Sequence, residues 1–217
     1  MSLRSPDALR RYYDSRLAAH GDTAQGAGWP NEADRQTRFA VMRALAPDGR
    51  MEDLCDLACG TGAFLDHLHA AATPPARYLG LDISETAIAT ARAKHGADRF
   101  AVHDLLADPV PGQFDYVVAN GLFTVKDSLS AAEMWDFLRT ATTAMWDMTR
   151  VGMAFNVMSA VVDWQREDLF HVEADALLRW LYALAGRRVI LRADYDLYEY
   201  TAYVYRAPLA TRPGQGF

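Results

Sequence analysis

Between residues 51 and 158 short apolar runs alternate with helix-length segments, and this alternation restricts the chain to an α/β architecture with a mostly parallel sheet. Residues 54–57, 78–83, 100–103, 114–119 and 151–158 read as strands. The run 114–119 is apolar throughout after Asp115, as a strand covered on both faces requires. Gly60-Thr61-Gly62 turns the chain into a helix that reaches His69 and stops at Thr73-Pro74-Pro75. Ser84 caps a helix to His95, with Gly96 in the position after it that favours a left-handed residue. Ser130 and Glu133 form a capping box that opens a helix to about Met148, and a further helix over 173–185 ends at Gly186.

The end of the chain breaks the pattern. Runs 188–195 and 200–206 are separated by four residues, whereas a parallel crossover needs a dozen or more, so the pair is an antiparallel hairpin. The last run is apolar or aromatic on both faces and belongs inside the sheet. The expectation is a three-layer sandwich around a mostly parallel seven-stranded sheet with an antiparallel last strand, plus N-terminal helices.

Two helices precede the sheet. Residues 6–19 carry Leu9, Tyr12, Tyr13 and Leu17 near helical spacing, and a second helix opens at Asn31 with Phe39, Met42 and Leu45 along one face. The loop 21–30 between them holds Gly21, Gly26, Gly28, Pro30 and one large aromatic, Trp29. Because the sandwich reads as complete from Met51 onward, residues 1–50 are expected to form a helical lid, 51–206 the main domain, and the Pro- and Gly-containing stretch 207–217 a flexible tail.

Composition excludes several classes. A net charge of −6 argues against a long nucleic-acid contact, which wants a basic face. Cys55 and Cys59 have no neighbouring His or second Cys pair, so no metal site is expected. The longest near-apolar stretch, 151–162, contains Asn156 and Ser159 and falls short of the ~20 residues of a membrane span. No leader is visible, and a reducing cytoplasm is the default expectation.

Four segments fall at the carboxyl ends of the first four strands, where ligands bind in sheets of this kind. They are Asp56-Leu57-Ala58-Cys59-Gly60-Thr61-Gly62; Asp82-Ile83-Ser84; His103-Asp104-Leu105; and Asn120-Gly121-Leu122-Phe123. Glycines in the first let backbone approach a ligand closely. Asp82, twenty residues after Gly62, can accept bonds from ribose hydroxyls. A nicotinamide-dependent oxidoreductase would share these two features. Against it, Leu65 occupies the third fingerprint-glycine position, and Asp56 would repel a pyrophosphate but attract an ammonium group.

On these residues the chain resembles the class I S-adenosylmethionine-dependent methyltransferases, which have a Rossmann-like fold, over about residues 51–206. The resemblance implies S-adenosyl-L-methionine as cofactor, S-adenosyl-L-homocysteine as product, and transfer of a methyl group to an oxygen or nitrogen of a small-molecule acceptor. It implies that Asp56, Ala58, Cys59, Gly60 and Gly62 lie against the methionine part. It implies that Asp82 holds the ribose, Ile83 packs on the adenine, and Asp104 and Leu105 read the adenine edge. Asn120, Gly121 and Phe123 would lie nearest the methyl. Gly121-Leu122-Phe123 departs from the Pro-Pro-Tyr continuation of many nucleobase and amide methylators.

Tyr12 and Tyr13 cannot both face one core, and Tyr13 is the one assigned to the cofactor site. Trp29 either closes over the sulfonium cation or staples the N-terminal helices to the body. Arg38 either meets the methionine carboxylate or is a solvated helix residue. His171 is the best candidate base because an unperturbed imidazole titrates near neutrality. Methyl transfer from a sulfonium requires neither triad nor metal. A non-catalytic protein that only binds S-adenosylmethionine, and the NAD-dependent oxidoreductase, are the alternatives.

Overall fold

In the computed structural model, which describes residues 7–208, α1 (Asp7–His20) and α2 (Glu32–Arg43) precede the sheet. The alternating region follows as β1 (Asp53–Leu57), α3 (Ala63–Ala70), β2 (Arg77–Asp82), α4 (Glu85–His95), β3 (Phe100–Val102), β4 (Phe114–Phe123), α5 (Ala131–Met148) and β5 (Thr149–Ser159). Then come β6 (His171–Val172), α6 (Ala174–Ala185), β7 (Val189–Arg192) and β8 (Glu199–Tyr205). Pro6 of the expected first helix and residues 209–217 of the expected tail lie outside the described residues.

The sheet order is 3-2-1-4-5-8-7, parallel through β5, with β8 antiparallel to both β5 and β7. All seven residues of β8 are buried, as a strand between two others demands. The eighth strand, β6, has no counterpart in the sequence reading. It pairs two residues with the end of β5, just past the last β4 partner, and two residues carry no periodicity to read.

Neighbouring strand residues face opposite layers. Val117 and Phe155 pack under α5 and α6 with Met134, Leu138, Leu177 and Leu181. Val118 and Ala154 pack on the other face with Phe64, Leu65, Leu68 and Ile88 of α3 and α4. Local signals fix the helix ends: Asn31 accepts from Asp34 N at 2.8 Å, Ser84 from Ala87 N at 3.0 Å, and the Ser130/Glu133 box is formed.

The expectation that residues 1–50 are dispensable to the sandwich needs correcting at α2. Phe39, Met42 and Leu45 are buried in the same layer as Leu54 and Val118. Tyr203 donates to Val41 O at 2.6 Å and Tyr205 to Leu45 O at 2.9 Å, which satisfies carbonyls near the helix C-terminus. α2 is thus a layer helix, and only α1 and the loop after it lie outside the core. The strand order reverses between β1 and β4, which opens a crevice at their carboxyl ends.

Candidate functional site

A cavity of about 200 Å³ occupies that crevice. Its floor is made by Asp56, Ala58, Cys59 and Gly60 after β1, Asp82 and Ile83 after β2, Asp104 and Leu105 after β3, and Asn120 and Gly121 of β4. Tyr13 of α1 and Trp29 of the following loop form part of its roof. The expected site residues are therefore brought together, with three exceptions taken up below.

The glycine loop reverses sharply: Ala58, Gly60 and Gly62 all have positive φ, at 55°, 56° and 78°. This turns the Gly60 N–H onto Asp82 Oδ2 at 2.8 Å, while Asp82 Oδ1 accepts from Ser84 N at 2.8 Å. Asp82 is thus both a cavity wall and the clasp between the β1 and β2 loops. Asp56 is buried and accepts from the Tyr78 phenol at 2.7 Å. Burial pushes its carboxyl up to about 7, helped by the Asp82 charge and opposed by the Tyr78 bond. Burial raises Asp82 as well, against its backbone bonds. Two carboxylates held in one low-dielectric floor make it a place for a cation.

Asp104 Oδ1 accepts from Leu106 N at 2.9 Å, so this residue shapes the loop after β3 while lining the cavity. Beside it, His103 also lines the cavity and its Nε2 is buried without a hydrogen-bond partner. The Asn120 Oδ1 atom is likewise buried and unpartnered.

β4 does not end at Ala119 as the sequence suggested. It continues to Phe123 through an irregularity in its register with β5, and Gly121 sits there with φ 86°. A Cβ on Gly121 would stand 2.6 Å from Trp29 Cζ2, so the indole lies directly on this glycine. Asn156 Oδ1 accepts from Gly121 N at 2.7 Å, and Thr124 Oγ1 donates to Gly121 O at 2.9 Å.

Three expected residues lie elsewhere. Gly62 caps α3, and its α-carbon packs on Phe100 and His95 rather than on the cavity. Phe123 is buried against Phe137 and Phe155, because β4 runs four residues past Ala119 and carries it into the core. His171 is off the cavity lining; its Nδ1 lies 2.7 Å from Ser159 O, its ring meets Trp164 edge-on, and its Nε2 is buried and unpartnered.

Arg38 does not line the cavity either, and pairs with Glu199 at 2.9 Å. Arg35, one turn earlier, does line it, as does Arg10 of α1; Arg35 is braced by Glu32 at 2.7 Å with its Nη1 buried and unpartnered. The sequence reading named Arg38 alone, since which face of α2 meets the crevice depends on how the helix packs. Other roof contacts join residues far apart in sequence. Asp22 accepts from Thr61 of the glycine loop and from Lys94 at 2.8 Å, and Ser84 Oγ donates to Asp14. No local pattern announces them.

Among the described residues, no group of three metal-ligating side chains occurs and no helix is long and apolar enough to cross a membrane.

Comparison with known proteins converges on one kind of domain. Residues 55–146 match a family model described as a methyltransferase domain. Rv1506c, a Mycobacterium tuberculosis protein that bears a methyltransferase name, is 29% identical over 154 residues, spanning 70% of this chain and 92% of that protein. The fold is similar to that of magnesium protoporphyrin IX methyltransferase from Synechocystis PCC 6803, crystallised with S-adenosylhomocysteine. That match has a TM-score of 0.65 at 16% identity and covers 94% of this chain and all of the other. It is also similar to CalS10, an amino pentose methyltransferase from Micromonospora echinaspora, with a TM-score of 0.54 at 20% identity over 81% of this chain and 89% of that one.

Proposed function

We propose that the chain, which carries a match to a methyltransferase domain, is a class I S-adenosylmethionine-dependent methyltransferase and that it methylates an oxygen or nitrogen atom of a small-molecule acceptor. The observation that carries the reading is the pair of buried carboxylates, Asp56 and Asp82, at adjacent strand ends beneath one cavity. An ammonium group and a ribose diol complement that floor. In this reading Asp56 faces the methionine ammonium, with the Ala58–Gly60 backbone beside it, and Asp82 accepts from the ribose hydroxyls. Ile83, Asp104 and Leu105 border the adenine. Arg35 takes the methionine carboxylate, a role its buried, unpartnered Nη1 supports. Asn120 and Gly121 border the methyl.

Bound S-adenosylmethionine supplies an electrophilic methyl on a positively charged sulfur. The protein's task is then to hold the acceptor in line and keep water out, and such positioning can supply ~7–11 kcal/mol. The small cavity, about 200 Å³, and the acidic balance of the chain favour a small acceptor over a nucleic acid. Two free, buried thiols, Cys55 and Cys59, suit a reducing cytoplasm. Screening cell extracts with a labelled methyl donor identifies the acceptor. Saturable NAD binding without affinity for S-adenosylmethionine would overturn the reading.

Asp56 gives it a pH signature. A carboxyl raised from its ordinary 3.8 to about 7 binds a proton in the folded state that the unfolded chain has lost. Its contribution to stability therefore falls as pH rises between those values and levels above about 7. An ammonium group next to it favours the ionised form and reverses that loss. The stabilisation that S-adenosylhomocysteine confers should accordingly grow from pH 5 to pH 7.5, with proton release on binding at the acidic end. Thermal shifts across this range, and calorimetry in buffers of different ionisation enthalpy, measure both. A ligand-induced shift independent of pH removes Asp56 from the ammonium site.

The lid of this enzyme is α1 with the loop 21–30, α2 being part of the core. Trp29→Ala should lower turnover more than global stability, since it opens the roof over the floor at Gly121. Hydrogen exchange tests the lid directly. Residues 21–30 should be protected by S-adenosylhomocysteine, and equal protection with and without it would make the segment a fixed cap.

A further inference from the structure

Five residues close a ring between the roof of the cavity and its floor. The Trp29 ring lies over the Arg38 guanidinium, 4.2 Å from its centre. Arg38 Nε donates to Glu199 Oε2 at 2.9 Å, and Glu199 Oε1 accepts from Asn156 Nδ2 at 3.1 Å. A carboxylate has no proton to give, so the Asn156 amide must turn its Nδ2 to Glu199 and its Oδ1 the other way. There it accepts from the N–H of Gly121, the residue on which the Trp29 ring lies. The ring draws on the loop before α2, then α2, β8, β5 and β4.

Three features set this ring apart from ordinary core packing. The Arg38 and Glu199 side chains are 8% and 1% exposed. Burying an ion pair is costly, and an apolar pair of the same volume is often as stable, so its return lies in a fixed geometry. Arg38, Glu199 and Asn156 do not line the cavity and so do not touch what it holds. Finally, the one backbone N–H they secure is at the β4 irregularity, where the ladder to β5 shifts register between Ala119 and Phe123.

We propose that Arg38, Glu199 and Asn156 are positioning residues that couple the seating of Trp29 to the placement of the Asn120–Gly121 edge of the cavity. Closing the roof then aligns the strand edge beside the methyl in the same event. Without the ring, the roof closes over an edge free to adopt other backbone orientations. This rests on the proposed cofactor site and lid, and extends them to residues outside the cavity.

The test follows the Gly121 amide by hydrogen exchange in the full chain, with S-adenosylhomocysteine as the probe. In the unsubstituted protein, saturating ligand should slow exchange at Gly121 at least tenfold, and Trp29→Ala should abolish that response. Glu199→Gln keeps the shape but loses the charge and one acceptor. It should also abolish the response, while the dissociation constant for the ligand stays within about fivefold. Arg38→Lys keeps the charge without the planar group under the indole, and should leave an intermediate response; it serves if Glu199→Gln does not fold. A merely structural role predicts lower melting temperatures with the ligand response at Gly121 intact, and that result overturns the proposal. So does an unresponsive Gly121 in an unsubstituted protein that binds the ligand. Failure of the unsubstituted protein to bind the ligand at all would instead strike the cofactor reading itself.

Discussion

Asp82→Ala is expected to weaken S-adenosylhomocysteine binding by about 10²–10⁴-fold. Hydrogen bonds to a charged group contribute roughly 1.5–3 kcal/mol each, and both ribose hydroxyls lose their acceptor. At about 1.4 kcal/mol per factor of ten, two such bonds span that range. The structure adds a second effect that the sequence did not suggest. Asp82 also accepts from Gly60 N and Ser84 N, and removing the carboxylate strands both donors. Each unsatisfied group costs about 1–3 kcal/mol, so the variant should melt at a lower temperature while remaining folded at 25 °C. Asp82→Asn separates the two effects. It keeps one of the two loop acceptors and loses the charge, so it should recover part of the stability and little of the affinity. Calorimetry with thermal melts of both variants measures this. An unchanged dissociation constant in Asp82→Ala would take the residue out of the ribose site.

Gly121→Ala should be the most damaging one-carbon addition in the cavity wall. At φ 86° an L side chain costs about 1–2 kcal/mol in backbone strain. The new methyl would also stand 2.6 and 2.8 Å from two atoms of Trp29, and such overpacking adds about 1–3 kcal/mol. The indole must leave, and with it the contact between roof and floor. The expected result is a loss of roughly 2–5 kcal/mol in stability by the same two effects, a red-shifted tryptophan emission, and loss of turnover. Trp29→Ala in the same chain removes the clash but not the strain, so the double variant should be more stable than Gly121→Ala alone. A Gly121→Ala protein with native melting and emission would show that Trp29 does not rest on this glycine.

The features legible in the sequence share one property: each is written in a local run. The alternating strands and helices, the caps at Asn31 and Ser84, the box at Ser130 and the buried last strand all depend on residues within a few positions of one another. The floor of the cavity was legible for the same reason, since topology sends every carboxyl end of a parallel strand to one side. The roof was not. Asp22 meets Lys94, Ser84 meets Asp14, and Arg38 meets Glu199 across separations of 72, 70 and 161 residues. Arg35 went unremarked because the face α2 turns to the cavity depends on how the helix sits on the sheet, where Tyr203 and Tyr205 of β8 hold its end. Phe123 was misplaced by four residues of strand, since a glycine at positive φ inside a ladder reads locally as the end of it.

The bonds from Tyr203 and Tyr205 to the end of α2 carry a consequence for how the chain is made. They tie the first layer helix to the last strand, so contacts of nearly the longest separation available hold the frame under the roof. Such contacts are slow to form, because a long loop must close before they return any stabilisation. On the ribosome, β1 to β5 can emerge and pair in order while α2 waits with part of its apolar face uncovered. The arginine and tryptophan carried by that region find their places only once Glu199 has been synthesised. Binding competence in this protein is therefore expected only once β8 has been made, and a chain stopped before β8 would present an open sheet edge instead of a weak enzyme.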